Sequence, residues 1–237
     1  MLAFTSMHLW EWENAEREYH HALQGQSIDP SAHQWYAQFL SMVGEIEQSA
    51  QQILIAYDID PVSPAVNERL AVTYLLQGKN ELADEQFQTA QDLGFERTAI
   101  LEPYILLQWR MKRIAEMEPL LASTQKRLGL EDEWVNMMMQ VLSEPKKAKD
   151  LLLSLSDNRY RRGTPVVFVA AIFVGQVDVA FDLAHQLVDN RQLNTETLLI
   201  PEASAFRRDD RFNSLARRVG LYDYWESTRW PPVMTAG

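Results

Sequence analysis

The chain has five histidines, and their spacing offers little chemistry. His20 and His21 are adjacent, which on a helix puts them on different faces. His8, His33 and His185 lie far apart. A zinc site needs three or four converging ligands, so these read as surface or partly buried side chains, and no metal or cofactor is expected. Glu16 and His20, four apart, share a helix face and read as a local pair. Carboxylates recur as Asp58 with Asp60, Asp84 with Glu85, and Glu131-Asp132-Glu133, at helix ends and turns. General acid–base work would need a pocket and shifted pKa values, and nothing in the pattern argues for either. There is no glycine-rich phosphate loop, no Gly-x-Ser-x-Gly elbow and no cysteine. No residue is assigned a catalytic role, and the chain is not read as an enzyme. Two arginine groups are left, Arg159, Arg161 and Arg162, and Arg207, Arg208 and Arg211. They would meet an acidic partner or phosphate groups, or pair with Asp157, Asp209, Asp210 and nearby acidic helices.

Composition limits what such groups could serve. The 237 residues suffice for one large domain or two small ones. The net charge is −11, unevenly placed. Residues 1–145 carry 9 basic against 22 acidic side chains, residues 146–237 carry 13 against 11. An acidic first part argues against sequence-independent nucleic-acid binding. The longest apolar run, Val166 to Val174, is nine residues, far below the roughly 20 of a membrane span. The opening lacks a basic n-region and a small-residue cleavage site, so no secretory leader is expected at Met1.

The elements that must position these residues repeat. Gly44 and Gly78 lie 34 apart, as do Pro30 and Pro64, Leu40 and Tyr74, and Ala56 and Ala90. Each glycine falls between two helix-length apolar patterns. Asp29-Pro30 and Ser63-Pro64 supply an N-cap and a first-turn proline. Ala15, Tyr19 and Ala22 recur as Ser49, Ile53 and Ala56, then as Ala83, Phe87 and Ala90. One helical hairpin cannot bury its stripe alone, so neighbours must stack. The first helix of the earliest unit would lie partly upstream of Met1. The opening therefore reads as truncated, a piece of a longer protein, with a natural start and a short capping helix as the alternative. Trp10 and Trp12 read as exposed, either as stacking surface or as a contact with the missing helix.

Past Leu93 the pattern decays. Residues 97–128 still read as two helices, with Ile100, Tyr104, Leu107 and Met111 on one stripe, and Lys112 replaces the turn glycine. Glu133 to Leu142 and Pro145 to Leu155 form a fifth pair, and Asp157 to Gly163 reads as a polar loop. Pro165 to Val174, rich in β-branched residues, is read as helix because Gly175 and Ala180 keep the spacing of Gly78 and Ala83. Thr197 to Phe206 and Phe212 to Val219 read as a last helical pair, closed by an aromatic plug at Leu221 to Trp225. Trp230-Pro231-Pro232 is expected to stop any further helix. The expectation is an all-α, right-handed superhelix of about six hairpins, with repeats over 1–194 (degenerate at 97–160) and a helical cap over 195–237.

The 34-residue unit, with Trp35-Tyr36-Ala37, Asp60-Pro61, Ser63-Pro64 and Gly78, resembles the tetratricopeptide repeat. Together with Phe206-Arg207-Arg208-Asp209-Asp210-Arg211-Phe212, Leu215, Arg218, Gly220-Leu221 and Trp225, it is similar to the C-terminal tetratricopeptide domain of bacterial winged-helix transcriptional regulators, also found attached to some adenylate cyclases. Asp210 stands where that family usually has proline. The resemblance implies a sensory or effector module that binds protein, with its output elsewhere. It would be periplasmic if the parent spans a membrane and cytoplasmic otherwise.

In such repeats the first helix of each pair lines a concave groove. The corresponding positions here include Gln34, Gln38, Ser41 and Met42, then Glu68, Val72, Leu75 and Leu76, then, counting from Thr98, Glu102, Leu106, Trp109 and Arg110. Repeats that clamp a terminal carboxylate carry Lys and Asn there, whereas this chain has Gln34, Glu68 and Glu102. An apolar floor with an acidic rim would suit a segment bearing apolar anchors and positive charge. The alternative is that Leu75, Leu76 and Trp109 pack against neighbouring helices. The expected partner is a protein or peptide, or a second copy in a homodimer, with no direct nucleic-acid binding and no membrane insertion. A small-molecule sensor is the alternative, with a pocket in residues 97–175 near Trp109 and Trp134.

Overall fold

A computed structural model describes residues 2–24, 29–96 and 101–235. Thr98 and Ile100 lie outside the described residues. Among those described there is helix and turn but no strand. The chain divides into two compact units. Unit 1 comprises Met1–Phe95, Asn194–Leu199 and Asn213–Gly237, and unit 2 comprises Glu96–Leu193 and Ile200–Phe212. The residues after 194 are therefore shared between them.

Unit 1 begins with three helical hairpins: α1 (Leu2–His8) with α2 (Trp12–Ala22), α3 (Pro30–Val43) with α4 (Ile46–Ile59), and α5 (Pro64–Leu76) with α6 (Asn80–Asp92). The starts follow from the sequence: the Asp29 carboxylate accepts the Ser31 N–H and the Ser63 hydroxyl accepts the Val66 N–H. Small residues let the helices close up. Ala37, Ile53, Ala56, Val66 and Leu70 form one buried cluster, with Tyr57 and Tyr74 packed against it.

Unit 2 continues with α7 (Leu101–Arg110), α8 (Met117–Leu128), α9 (Glu133–Ser143), α10 (Ala148–Leu155), α11 (Thr164–Phe173) and α12 (Val177–Asp189). The β-branched run at Val166 is helical, as the spacing predicts, and is almost wholly buried. After α12 come α13 (Glu196–Leu199) in unit 1, α14 (Ser204–Arg207) in unit 2, α15 (Arg211–Arg218), and then α16 (Leu221–Ser227) and α17 (Pro232–Thr235) in unit 1.

The repeat is written in the backbone more fully than in the residues. Gly44 and Gly78 are left-handed, with φ 96° and 75°. Trp10 and Lys112, 34 residues to either side, are left-handed too, with φ 61° and 58°. At all four turns the same two bonds close the helix end: Glu11, Glu45, Lys79 and Arg113 donate N–H to Ser6, Leu40, Tyr74 and Gln108, and the residue before each donates to the next carbonyl but two. This is the paired-bond helix stop that normally favours glycine. Position 112 thus keeps the turn without the glycine.

Three expectations are corrected. Asp157 to Gly163 is a 3-10 helix (Asn158–Gly163), because Asp157 caps it by accepting the Arg159 N–H and Tyr160 is buried as its anchor. The helix expected over Thr197 to Phe206 is broken at Pro201, which holds Ile200 extended (ψ 153°). Helix resumes at Pro232, since a proline at the first helical position sacrifices no bond.

Equivalent turns should respond oppositely to substitution. A Cβ on Gly44 would lie 2.6 Å from Pro231 Cβ at positive φ, so Gly44→Ala should cost at least about 2 kcal/mol in a urea melt. Lys112→Gly should leave stability equal or raise it by about 0.5 kcal/mol.

Candidate functional site

The positions of α3 and α5 expected to line a groove are covered rather than open. Gln34, Ser41, Met42, Glu68, Val72 and Leu75 are buried, and Gln38 and Leu76 are half-buried. Within unit 1, the segment Asn194–Leu199 lies along the end of α3. The Glu196 carboxylate meets the Arg69 guanidinium at 2.6 Å and accepts the Ser41 hydroxyl. Asn194 accepts the Glu196 N–H at 3.1 Å and fixes the turn. Helix α3 ends with carbonyls that have no partner inside the helix. Thr195 donates its hydroxyl to Met42 O at 2.8 Å, and Trp225 donates its indole N–H to Val43 O at 2.9 Å.

Arg69 and Glu196 are 5% and 6% exposed, so both charges have left water. Burial opposes the charge on Arg69, but Glu196 and Glu68 more than restore it. Glu68 lacks such a hold. Burial pushes its carboxyl up to about 7, against the pull of Arg69 and with the help of Glu196. The face is therefore one firm ion pair beside a carboxyl that is half protonated near neutrality.

The remaining groove positions belong to unit 2. Leu106 is buried, and Trp109 stacks on Phe173 with centroids 5.8 Å apart. Arg110 grips Glu202 through two bonds of 2.7 and 2.9 Å. Burial pushes the Glu202 carboxyl up, yet this grip leaves it below its usual range. Glu102 is raised by burial.

The arginines separate into two kinds. Arg207 donates to Ile200 O at 2.7 Å. Arg211 bonds Asp178 and Asp209 at 2.8 Å and lies 4.3 Å over the Phe181 ring. Both are committed to structure, while Arg208 is exposed. Arg159, Arg161 and Arg162 instead line a cleft of about 540 Å3 in unit 2, together with Gly129, Leu130, Asn158 and Gln192.

The histidines stay separate. His20 approaches Tyr36 at 3.3 Å, and His33 bonds Gln52 at 2.8 Å. Among the described residues no three His, Asp or Glu side chains converge as a metal site. No described helix is long and apolar enough to cross a membrane. Trp12, expected to be exposed, is 2% exposed and donates its N–H to Val219 O at 2.7 Å, because the returning tail covers it. Sequence reasoning missed Glu196 and Thr195, read Trp225 only as part of the aromatic plug, and placed no weight on Arg69. Only the rarity of buried arginine could have marked the last.

The fold is thus an all-helical array of packed hairpins of helical-repeat type. Compared with protein-family models, with curated proteins and with solved structures, the chain finds no match in any of the three.

Glu196→Ala strands a buried guanidinium and should cost about 3 kcal/mol in chemical denaturation, whereas Arg69→Met with Glu196→Leu should cost far less. The folded state binds the Glu68 proton more tightly than the unfolded chain, whose carboxyl titrates near its usual 4.5. Stability from this group is therefore full below that value and lost as pH rises through about 7. Denaturation at pH about 5 and about 8 should differ by up to about 3 kcal/mol in the wild type, and this component should vanish in Glu68→Gln.

Proposed function

We propose that the chain is a non-enzymatic protein-interaction module of tetratricopeptide type, serving as the sensory or effector part of a larger bacterial transcriptional regulator. One observation carries the interaction reading. The face formed by α3 and α5, where repeats of this kind take their ligands, already holds a short chain segment through side chains, with Glu196 on Arg69 and Ser41, and Thr195 on Met42 O. What the face recognises is a helical turn presenting a carboxylate and a hydroxyl. This revises the expected preference for a positively charged segment, because Arg69 supplies the charge. The regulator role draws its support from the resemblance of the ending, Phe206 to Trp225. The even register of the turns at Trp10, Gly44, Gly78 and Lys112 supports the repeat type.

A competition in trans tests the reading. A labelled peptide spanning residues 191–202 should bind saturably to a full-length Thr195→Ala/Glu196→Gln variant by fluorescence anisotropy. It should bind the wild type at least about ten-fold more weakly, since the occupied face taxes the apparent affinity. A variant that keeps its helical circular dichroism yet gives no saturable binding overturns the assignment of this face.

A further inference from the structure

The cleft between the 3-10 helix Asn158–Gly163, the end of α8 and the end of α12 is built from donors. Arg161 holds Asn190 Oδ1 at 3.0 Å, and Arg162 holds Leu128 O at 3.1 Å. Both anchors are neutral, and neither guanidinium has a carboxylate within ion-pair distance among the described residues. In a chain of net charge −11 this is conspicuous, because carboxylates are abundant enough to have been placed there. Arg159 differs: Glu131, Glu133 and Asp157 lie 3.5, 3.6 and 3.8 Å from it, so its charge is more than offset. A guanidinium has five donors in a rigid fork, and one anchor bond leaves the others for the cleft. Asn158 and Gln192 add amides, and buried Leu130 adds an apolar wall. The wall is backed by Trp134, whose indole nitrogen packs with Leu130 against Gly163. At about 540 Å3 the cleft falls in the size range of small-molecule sites and exceeds the needs of a bare ion.

We propose that this cleft binds a phosphate monoester of a small organic molecule, with the dianionic phosphate on Arg161 and Arg162 and the esterified group toward Leu130. Two uncompensated guanidiniums match the two charges of a monoester above its second pKa, and forked donors suit its oxygens. The site is made by residues of unit 2 alone and does not depend on the α3–α5 face of unit 1 binding a chain segment.

The test is isothermal titration of the full chain at fixed ionic strength with glycerol phosphate, inorganic phosphate and sulfate. The monoester should bind saturably and tightest, and its affinity should fall on going from pH about 7.5 to about 5 as the second charge is lost. Arg161→Gln and Arg162→Gln should each weaken it at least about five-fold, and Arg208→Gln, an exposed arginine away from the cleft, should leave it unchanged. These side chains are exposed, so circular dichroism should be identical in all variants. Absence of saturable binding to the wild type, binding that survives the Arg161→Gln/Arg162→Gln pair, or equal loss in Arg208→Gln would each overturn the site. Inorganic phosphate binding as tightly as the monoester would overturn the assignment of an organic ligand.

Discussion

Arg69 cannot be left alone in the interior of unit 1. An unpaired guanidinium there would cost several kcal/mol of hydration, and its chain neighbour Glu68 is itself driven toward the neutral acid by burial. The charge is met by Glu196, brought from 127 residues further along. Once that carboxylate is in place, much else in the unit follows. Asn194 has to turn the chain, Thr195 falls on the Met42 carbonyl, and Leu199 arrives against Gly44. The last turn of α3 is then satisfied by side chains, and Trp225 completes it at Val43. The face that a helical repeat would offer to a partner is shaped by this one electrostatic demand.

The second constraint is geometric. A helical hairpin stacks evenly only if each turn leaves its helix at the same angle. Within unit 1 the common pair of hydrogen bonds gives the turns at Trp10, Gly44 and Gly78 the same exit, and the same pair closes the turn at Lys112 in unit 2. Two of the four residues bear side chains in a conformation that costs them about 1–2 kcal/mol each. Packing on either side, not local propensity, must hold those turns.

This difference explains what could be read from the sequence. The glycine turns, the capped prolines and the small–large stripes are local signals, and the helices they announce at Pro30–Asp92 and Thr164–Asp189 are where the spacing places them. The turn at Trp10 carries no glycine signal, so the sequence leaves open whether the first helix lies partly upstream of Met1 or is a short capping helix, while in the structure Leu2–His8 packs on α2. Groove positions were found by counting, but counting cannot tell an open face from one covered by the chain itself. Glu196 is one carboxylate among 33 acidic side chains, and nothing near it in sequence says that its partner is Arg69. The arginine triplet at 159–162 was legible as a basic group. Its division into one compensated and two uncompensated charges required knowing which acids come within reach.

The order in which this chain is made has a consequence for the cell. The hairpins α1 to α6 emerge from a ribosome well before Glu196, and before Val219, which accepts the Trp12 N–H from 207 residues away. Closing so long a span adds little thermodynamic cost, about 0.6 kcal/mol per doubling of the loop, but it takes time. Until residue 196 is translated, Arg69, Ser41 and the bare carbonyls of α3 face solvent with apolar neighbours around them. The growing chain therefore passes through a stage at which its first repeats are helical and adhesive but unfinished.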